Sequence, residues 1–207
     1  MAGSDAAAPD LDLPLAVDLD GTLIRADMFA ASMLRFVLSN PLNTFALAVW
    51  LLKGRANAKA KLAERLLVDP ASLPWDERVL DWLKAERARG RRVVLATAWD
   101  GASAQAIADH AGVFDDVFAS DGRVNLKSAR KAEALARAFP EGFVYAGNEA
   151  ADLKVWARAA CAVVVNAAPE LERQARARFE IERAFPRQQA AGSSLRRALN
   201  VRFRRLR

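Results

Sequence analysis

The sequence predicts an α/β protein whose core is a doubly wound, Rossmann-like parallel sheet, with a helical domain inserted after the first strand. Two observations lead to this fold class. From residue 91 onward, short apolar runs alternate with helix-like segments, which is the pattern of βαβ units. One further apolar run lies near the N-terminus, and about 65 residues without a convincing strand pattern separate it from the others.

The first strand is predicted in "LPLAVDL", which is short and apolar and is bounded by Pro14 and Gly21. Such a run is typical of a strand that is buried on both faces of a parallel sheet. The insertion that follows contains helix-like segments separated by prolines and glycines. These segments are "MFAASMLRFVLSN", "PLNTFALAVWLLKG", "NAKAKLAERLL" and "PWDERVLDWLKAERARG".

The second half of the chain supplies the rest of the predicted sheet. Strands are expected in "RRVVLAT", "DDVFAS", "GFVYAG" and "CAVVVN", and helices in "GASAQAIADHAG", "KSARKAEALARAF" and "ADLKVWARAA". The chain therefore divides into a disordered lead-in (1–12), an α/β core (13–26 and 91–185), a helical cap (27–90) and a basic amphipathic tail (186–207).

The composition narrows the possible functions. A single cysteine, Cys161, excludes an internal disulfide framework and suits a reducing compartment such as the cytoplasm. A single histidine, His110, argues against a His-rich metal site or a Ser-His-Asp triad. Residues 167–207 carry 11 basic and 4 acidic side chains, whereas the rest carries 20 basic and 21 acidic ones. Since the body is neutral, we expect no nucleic-acid binding.

The ends of the predicted strands carry the candidate site, because ligands of doubly wound sheets bind there. Asp18 and Asp20 directly follow the first strand, and two carboxylates this close repel each other unless a cation lies between them. We therefore predict a Mg²⁺ site, since this ion prefers oxygen ligands. Asp18 is the candidate nucleophile of a phosphoryl transfer, and Asp20 is the candidate acid and base.

Later residues are predicted to complete this site. Thr97 ends the second core strand and offers a hydroxyl group, and Lys127 offers a positive charge at a predicted helix start, where a neighbouring anion explains it best. Asn148 and Asp152, in "GNEAAD", are candidates to complete the metal shell of Asp18 and Asp20. Asp152 has an alternative interpretation as a helix-start residue favoured by the helix dipole.

In order and spacing, "DLDGTL", Thr97 in "VVLATA", Lys127 and "GNEAAD" resemble the four motifs of haloacid dehalogenase-like (HAD) phosphatases. The resemblance covers roughly residues 13–166. It implies an HAD core with a cap, a Mg²⁺ cofactor and hydrolysis of a phosphate monoester through an aspartyl-phosphate intermediate.

Carried over by motif, the resemblance makes Asp18 the nucleophile and Asp20 the acid and base. It assigns Thr97 and Lys127 to the phosphoryl group, and Asp152 to the metal. The second aspartate favours phosphate chemistry over carbon–halogen cleavage. The fourth motif departs from the family pattern, because Asn148 stands where an aspartate is usual. An amide oxygen can ligate Mg²⁺ but brings no charge, so we expect a lower metal affinity.

Three stretches also resemble the HAD-type domain fused ahead of UbiA-type prenyltransferases. They are "GNEAADLKVWARAACAVVVNA", "ASDGRVNLK" and "LLKGRANAKAKLAERLLVDPASLPWDERVLDWLK". This resemblance implies a polyprenyl-linked or other lipid phosphate as substrate, beside small-molecule phosphates. It also implies the membrane surface or a UbiA-type prenyltransferase as partner, and a peripheral position at the inner face of the membrane.

Three interpretations stay open at this point. The apolar run "FALAVWLL" is predicted to be a buried cap helix, with a lipid-facing entrance as the alternative. The tail "SSLRRALNVRFRRLR" predicts a membrane-surface helix with Leu195, Leu199, Phe203 and Leu206 on one face, against a juxtamembrane linker or a solvated tail. Alternatives to the predicted function also stay open. One is a catalytically weak or inactive HAD-fold binding or regulatory module associated with a membrane prenyltransferase. Phosphotransfer to an acceptor other than water would use the same site.

Overall fold

The computed structural model describes residues 13–121, 125–188 and 200–205, and it consists of a parallel sheet with helices on both faces. The strands in chain order are β1 (Leu15–Val17), β2 (Leu66–Val68), β3 (Val93–Asp100), β4 (Asp116–Ser120), β5 (Val144–Gly147), β6 (Cys161–Val165), β7 (Ile181–Phe185) and β8 (Phe203–Arg205). The main sheet has the order β4-β3-β1-β5-β6-β7, and its neighbouring strands are parallel.

The helices connect these strands in the way that the sequence predicts for a doubly wound fold. They are α1 (Met28–Ser39), α2 (Asn43–Leu52), α3 (Arg55–Ala63), α4 (Glu77–Ala88), α5 (Gly101–Ala111), α6 (Ala129–Ala138), α7 (Leu153–Trp156) and α8 (Pro169–Arg178). Short 3₁₀ turns cover Pro70–Ser72 and Ala150–Asp152. Among the described residues, none of these helices combines the length and the apolar character that crossing a bilayer requires.

The central strand β1 is buried on both faces, which explains its unbroken apolar run. Leu15 and Val17 pack into the hydrophobic cluster on one face of the sheet, and Ala16 packs into the cluster on the other. The strand is also paired on both edges, with β3 on one side and β5 on the other. The predicted fold class, an α/β protein with a doubly wound parallel sheet, is confirmed.

The sheet is one strand wider than the sequence predicts. The strand β7 has the sequence IERAF, in which charged residues interrupt the apolar pattern that marks the other strands. Its Glu182 is nevertheless buried, because the guanidinium of Arg91 donates two hydrogen bonds to its carboxylate at 2.6 and 2.8 Å. A long-range ion pair therefore compensates a polar residue that the local sequence gives no reason to bury.

The end of the chain pairs with the cap, which corrects one prediction for the tail. Residues 203–205 form the strand β8, antiparallel to β2, so the predicted helix is wrong for Phe203. The Phe203 side chain is buried in the same cluster as the cap helices, which favours the strand over a solvent-exposed helix. Leu195, Leu199, Leu206 and the predicted lead-in 1–12 lie outside the described residues.

The helices α4 and α2 of the insertion are packed differently from what the sequence predicts. Helix α4 packs on the core, since Trp82 lies against Phe185 of β7 with ring centroids 5.4 Å apart, so the structure places this part of the predicted cap with the sheet. The prediction that "FALAVWLL" is a buried helix is wrong. Leu47 is its only buried residue, while Phe45, Val49 and Leu52 are exposed.

Candidate active site

The register of the sheet brings three predicted site residues to one edge. Val17 of β1 pairs with Leu95 of β3 and with Ala146 of β5. Asp18 follows one residue later, and Thr97 and Asn148 each follow their paired residues by two. Because these strands are parallel, the three residues lie side by side near the carboxyl end of β1, where doubly wound sheets bind ligands. Thr97 does not end its strand as predicted, since β3 continues to Asp100.

The turn after β1 needs a glycine. Gly21 has a φ of +76°, and a Cβ atom there would lie 2.0 Å from Nδ2 of Asn148. Thr22 donates a hydrogen bond from Oγ1 to Oδ1 of Asn148 at 3.3 Å. The glycine therefore lets the Asn148 side chain approach the loop that carries Asp18 and Asp20.

Asp18 is buried and makes an ion pair with a lysine that the sequence analysis did not assign. Lys131 Nζ lies 2.6 Å from Oδ1 of Asp18 and also donates to the Tyr145 hydroxyl at 2.8 Å. The Tyr145 hydroxyl in turn donates to Oδ1 of Asp152 at 2.9 Å. A continuous hydrogen-bonded chain thus runs from Asp18 to Asp152, and it fixes the orientation of the Asp18 carboxylate.

The surroundings of Asp20 raise the pKa of its carboxyl group toward neutral pH. Burial and the negative charge of Asp18 raise the pKa of Asp20 from 3.8 to about 7, although the backbone N–H of Met28 donates to its Oδ1 at 2.9 Å and opposes the shift. Met28 is the first residue of α1, so the Asp20 carboxylate accepts a hydrogen bond from the N-terminus of the first cap helix. A carboxyl group with such a pKa suits a general acid and base.

Thr97 lies at the predicted edge, but its hydroxyl has a local partner. The residue is buried in β3, and Oγ1 accepts a hydrogen bond from the backbone N–H of Trp99 at 3.1 Å. This bond leaves the hydroxyl proton available for donation to an oxygen. The phosphate-binding role of Thr97 stays a prediction.

Lys127 lies just before the helix at whose start the sequence places it, and its phosphate-binding role stays a prediction. Helix α6 begins at Ala129, so Lys127 precedes it, and its Nζ pairs with the Glu149 carboxylate at 2.8 Å. The Lys127 side chain is 46% exposed, whereas that of Lys131 is 4% exposed. The structure therefore gives Lys131 the contact with the predicted nucleophile, and leaves Lys127 at the mouth of the site.

Asp152 is buried, and the described contacts engage both of its carboxylate oxygens. Oδ2 accepts the backbone N–H groups of Asn148 and Glu149 at 2.8 and 2.9 Å, and Oδ1 accepts the Tyr145 hydroxyl. Burial and the charge of Asp18 raise its pKa to about 6, while Lys131 lowers it. These contacts favour the alternative interpretation, a residue that organises the helix start. Its role as a metal ligand stays a prediction.

The sequence analysis did not identify Lys131 and Tyr145 as site residues. Only for Lys131 does the sequence contain a pattern that could have indicated its role. Lys131 lies four residues before Leu135, which is buried on α6, and eight before Phe139, which is buried directly after the helix. A lysine on the apolar stripe of a helix indicates a buried partner. Tyr145 lies in the buried strand "FVYAG", where an aromatic residue needs no special explanation.

The donors at this edge fit a hard divalent cation. Asp18, Asp20 and Asn148 offer carboxylate and amide oxygens, which Mg²⁺ prefers to nitrogen or sulfur. A cation beside Asp20 would also relieve the repulsion from Asp18 that helps to raise its pKa. Within the described residues no group of three or more His, Cys, Asp or Glu side chains is arranged to hold a metal. The role of Asn148 as a metal ligand stays a prediction.

A cavity of about 320 Å³ opens at this edge, and both basic and acidic side chains line it. Asp20 and Asn148 lie on the wall that the sheet contributes, and Phe29 and Lys59 come from the cap. The cationic lining residues are Arg25, Lys59, Lys127 and Arg187. The acidic lining residues are Asp20, Asp27 and Glu149, so the lining is mixed in charge with a small basic excess.

Comparison of the sequence with known proteins finds one uncharacterised relative. No family model matches the chain. An uncharacterised protein of Sinorhizobium fredii, y4nM, is 40% identical over 167 residues, which are 81% of this chain and 32% of that protein. The chain thus spans about a third of the length of this curated relative.

Solved structures resemble the chain at low identity. A protein of unknown function from Bordetella pertussis Tohama I has a TM-score of 0.61 and 14% identity, covering 82% of this chain and 97% of its own. A substrate-bound phosphoserine phosphatase has a TM-score of 0.56 and 18% identity, covering 83% and 93%. A HAD family hydrolase, t0658, from Salmonella enterica serovar Typhi has a TM-score of 0.61 and 14% identity, covering 90% and 72%. The fold is therefore that of HAD phosphatases.

Proposed function

We propose that the protein is a Mg²⁺-dependent phosphatase that hydrolyses a phosphate monoester through an aspartyl-phosphate on Asp18. The observation that carries this proposal is the pair of carboxylates with opposite environments. Asp18 is held by the Lys131 ammonium at 2.6 Å, while burial and repulsion raise the pKa of Asp20 to about 7. Two such carboxylates can divide nucleophilic and acid–base work between them.

The proposed reaction has two steps. The Asp18 carboxylate attacks phosphorus, the bond to the leaving oxygen breaks, and protonated Asp20 gives its proton to that oxygen. A water molecule then attacks phosphorus, Asp20 takes a proton from it, and the bond to Asp18 breaks to release inorganic phosphate. Lys131 holds Asp18 in place throughout, and Thr97 and Lys127 are proposed to contact the phosphoryl oxygens.

Asp18, Asp20 and Asn148 are the residues proposed to hold Mg²⁺, with Asp152 as the further ligand predicted from the motif. The ion would supply positive charge against the oxygens of the phosphoryl group. Asn148 contributes no charge, so the affinity of this site for Mg²⁺ should be modest. Metal dependence is accordingly expected at millimolar rather than micromolar concentrations.

For the substrate, the four basic side chains in the cavity lining offer partners for a phosphorylated molecule. Lys59 comes from the cap helix α3, and its Nζ lies 3.4 Å from the carbonyl of Ala98, the residue after Thr97. A polyprenyl-linked or other lipid phosphate remains the finer proposal for the substrate class. Assaying soluble phosphate esters and prenyl phosphates side by side would decide between them.

The proposal is tested by release of phosphate from p-nitrophenyl phosphate, with millimolar Mg²⁺ and with EDTA. Asp18→Asn should abolish turnover while the circular dichroism spectrum at low temperature still shows the native fold, although the lost ion pair with Lys131 should lower the melting temperature. Asp109→Asn, an exposed substitution of the same kind on α5, is the matched control and should retain full activity. Activity that survives in Asp18→Asn would overturn the covalent mechanism.

A second candidate, a catalytically weak or inactive binding module, is favoured by one observation, the amide at position 148. If the missing charge limits the enzyme, Asn148→Asp should raise Mg²⁺ affinity roughly tenfold and raise turnover at low Mg²⁺. Asn40→Asp, at the exposed end of α1, is the matched control. A wild type that binds Mg²⁺ or phosphate without turnover, and an Asn148→Asp variant that stays inactive, would favour the binding module.

A further inference from the structure

The cap carries an exposed apolar surface that the site does not use. Its residues are Leu38, Leu42, Phe45, Val49, Leu51 and Leu52, and together they are called the apolar cap face here. Phe45 is 75% exposed and Leu52 is 88% exposed. Single exposed apolar residues are ordinary, but six large ones within residues 38–52 mark a surface that can meet an apolar partner.

The shape of this face follows from the spacing of its residues. Phe45, Val49 and Leu52 are separated by four and three positions, so they lie along one side of α2. The opposite side packs into the core through Leu47, and Trp50 stacks on Phe36 of α1 with ring centroids 4.9 Å apart. The helix is thus anchored by one side and presents the other outward.

Charge around the face identifies the kind of partner. Residues 28–63 contain five Lys and Arg residues and no Asp or Glu. Arg35 and Lys53 are exposed beside the face, and the Arg65 guanidinium lies 4.8 Å from the centroid of the Trp50 ring. The next acid along the chain, Glu64, is paired with Lys61 at 2.8 Å. An apolar face with a basic rim matches the headgroup region of a bilayer that contains anionic lipids.

A second copy of this chain fits the same face less well. A two-fold contact would bring two basic rims together without an acidic counterpart from residues 28–63. The helix α2 has 10 residues, about 15 Å in length, so it can lie in the interface of a bilayer but cannot cross it. We propose that the apolar cap face docks on the surface of an anionic lipid bilayer.

Docking through the cap would hold the cavity near the lipid surface, because the same cap contributes Phe29 and Lys59 to the cavity lining. The docking depends on the exposed face and its rim, and it stands whether or not the site hydrolyses phosphate. A lipid phosphate would then reach the cavity from the membrane rather than from solution.

The test is vesicle flotation of the full chain, with phosphatidylcholine vesicles that contain or lack phosphatidylglycerol. The wild type should float with the anionic vesicles, and Phe45→Ser/Leu52→Ser should lower the partition coefficient about tenfold or more, because two large apolar side chains no longer enter the lipid. Both positions are exposed, so the melting temperature should stay close to that of the wild type. Leu52→Ser alone, at the most exposed position, serves if the double variant fails to fold.

A second pair of variants tests the basic rim at equal net charge. Arg35→Ser/Lys53→Ser should weaken binding to anionic vesicles more than Arg173→Ser/Arg176→Ser, which removes two exposed arginines from α8. Equal losses would overturn the proposal in favour of general charge attraction. The absence of wild-type flotation, or unchanged flotation of the serine variants, would overturn it directly. A wild-type dimer that the serine variants convert to a monomer would overturn it in favour of a second copy.

Discussion

At the scale of single residues, Asp18 and Lys131 form a buried ion pair whose energy depends on the presence of both partners. Removing one charge from such a pair leaves the other buried without compensation, which is more destabilising than removing both. Tyr145 extends the pair to Asp152 and leaves the Lys131 ammonium little freedom to turn away. The arrangement favours one fixed position for the proposed nucleophile.

Lys131→Met should therefore lower stability by about 3 kcal/mol and reduce phosphate release at least a hundredfold. Lys127→Met is the control, because this lysine is half exposed, and it should change stability by less than about 1 kcal/mol. Urea denaturation and the phosphate assay measure both effects. Adding Asp18→Asn to Lys131→Met should restore much of the lost stability. A Lys127→Met variant that loses more stability than Lys131→Met would contradict this account.

The raised pKa of Asp20 makes stability depend on pH in a defined direction. In the unfolded chain this carboxyl ionises near pH 4, whereas in the folded protein it ionises near pH 7. Between these values the folded state holds a proton that the unfolded state has lost, so stability falls as the pH rises through this window and is lowest above it.

Asp20→Asn removes that ionisation, and in EDTA it should raise the melting temperature at pH 8 while having little effect at pH 4. The shift at pH 8 should be several degrees, since 1 kcal/mol corresponds to about 2–4 °C in a chain of this size. Differential scanning calorimetry of wild type and variant at the two pH values measures it. A shift of equal size at both pH values would show that Asp20 does not titrate in this range.

At the scale of elements, two cap helices contribute to the site, and the helix between them presents an apolar surface to solvent. Helix α1 begins with its Met28 N–H on Asp20, and α3 presents Lys59 to the cavity, with Nζ 3.4 Å from the Ala98 carbonyl. Helix α2, between them, faces outward. One insertion thus supplies part of the site on one side and a surface for a partner on the other.

Lys59→Gln should raise KM for an anionic phosphate ester several-fold and change kcat less, because Lys59 lies in the cavity lining and only weakly lowers the pKa of Asp20. Lys61→Gln lies on the same helix but pairs with Glu64 at 2.8 Å, so it is the matched control and should leave KM unchanged. Steady-state kinetics over a range of substrate concentrations separates the two parameters. Equal effects of the two substitutions would contradict a role of Lys59 in the cavity.

At the scale of the whole molecule, the C-terminal end of the described chain is paired with cap residues that precede it by 130 residues or more. The strand β8 pairs with β2, and the Arg202 backbone N–H donates to Oγ of Ser72 at 2.7 Å. Val201 and Phe203 are buried against the cap. The basic end of the chain therefore contributes to the stability of the fold as well as to its charge.

Phe203→Ser should lower the free energy of unfolding by about 3 kcal/mol, since it removes a buried aromatic ring and adds a hydroxyl group. Arg204→Ser, at the neighbouring exposed position, is the control and should change it by less than about 0.5 kcal/mol. Urea denaturation measures both values. A Phe203→Ser variant as stable as the wild type would mean that β8 does not hold the cap in solution.

The amino-acid sequence by itself determined the class of the fold and the edge of the sheet where polar residues gather. Both follow from local order along the chain, since apolar runs define parallel strands and Asp18, Thr97 and Asn148 directly follow three of them. Only the tertiary structure decided which lysine meets Asp18, because Lys127 and Lys131 differ by one helical turn and only packing distinguishes the buried position. It likewise decided that Glu182 is buried, that Phe203 joins a strand and that α2 faces outward. Each of these depends on a partner distant in sequence, and local pattern carries no information about such a partner.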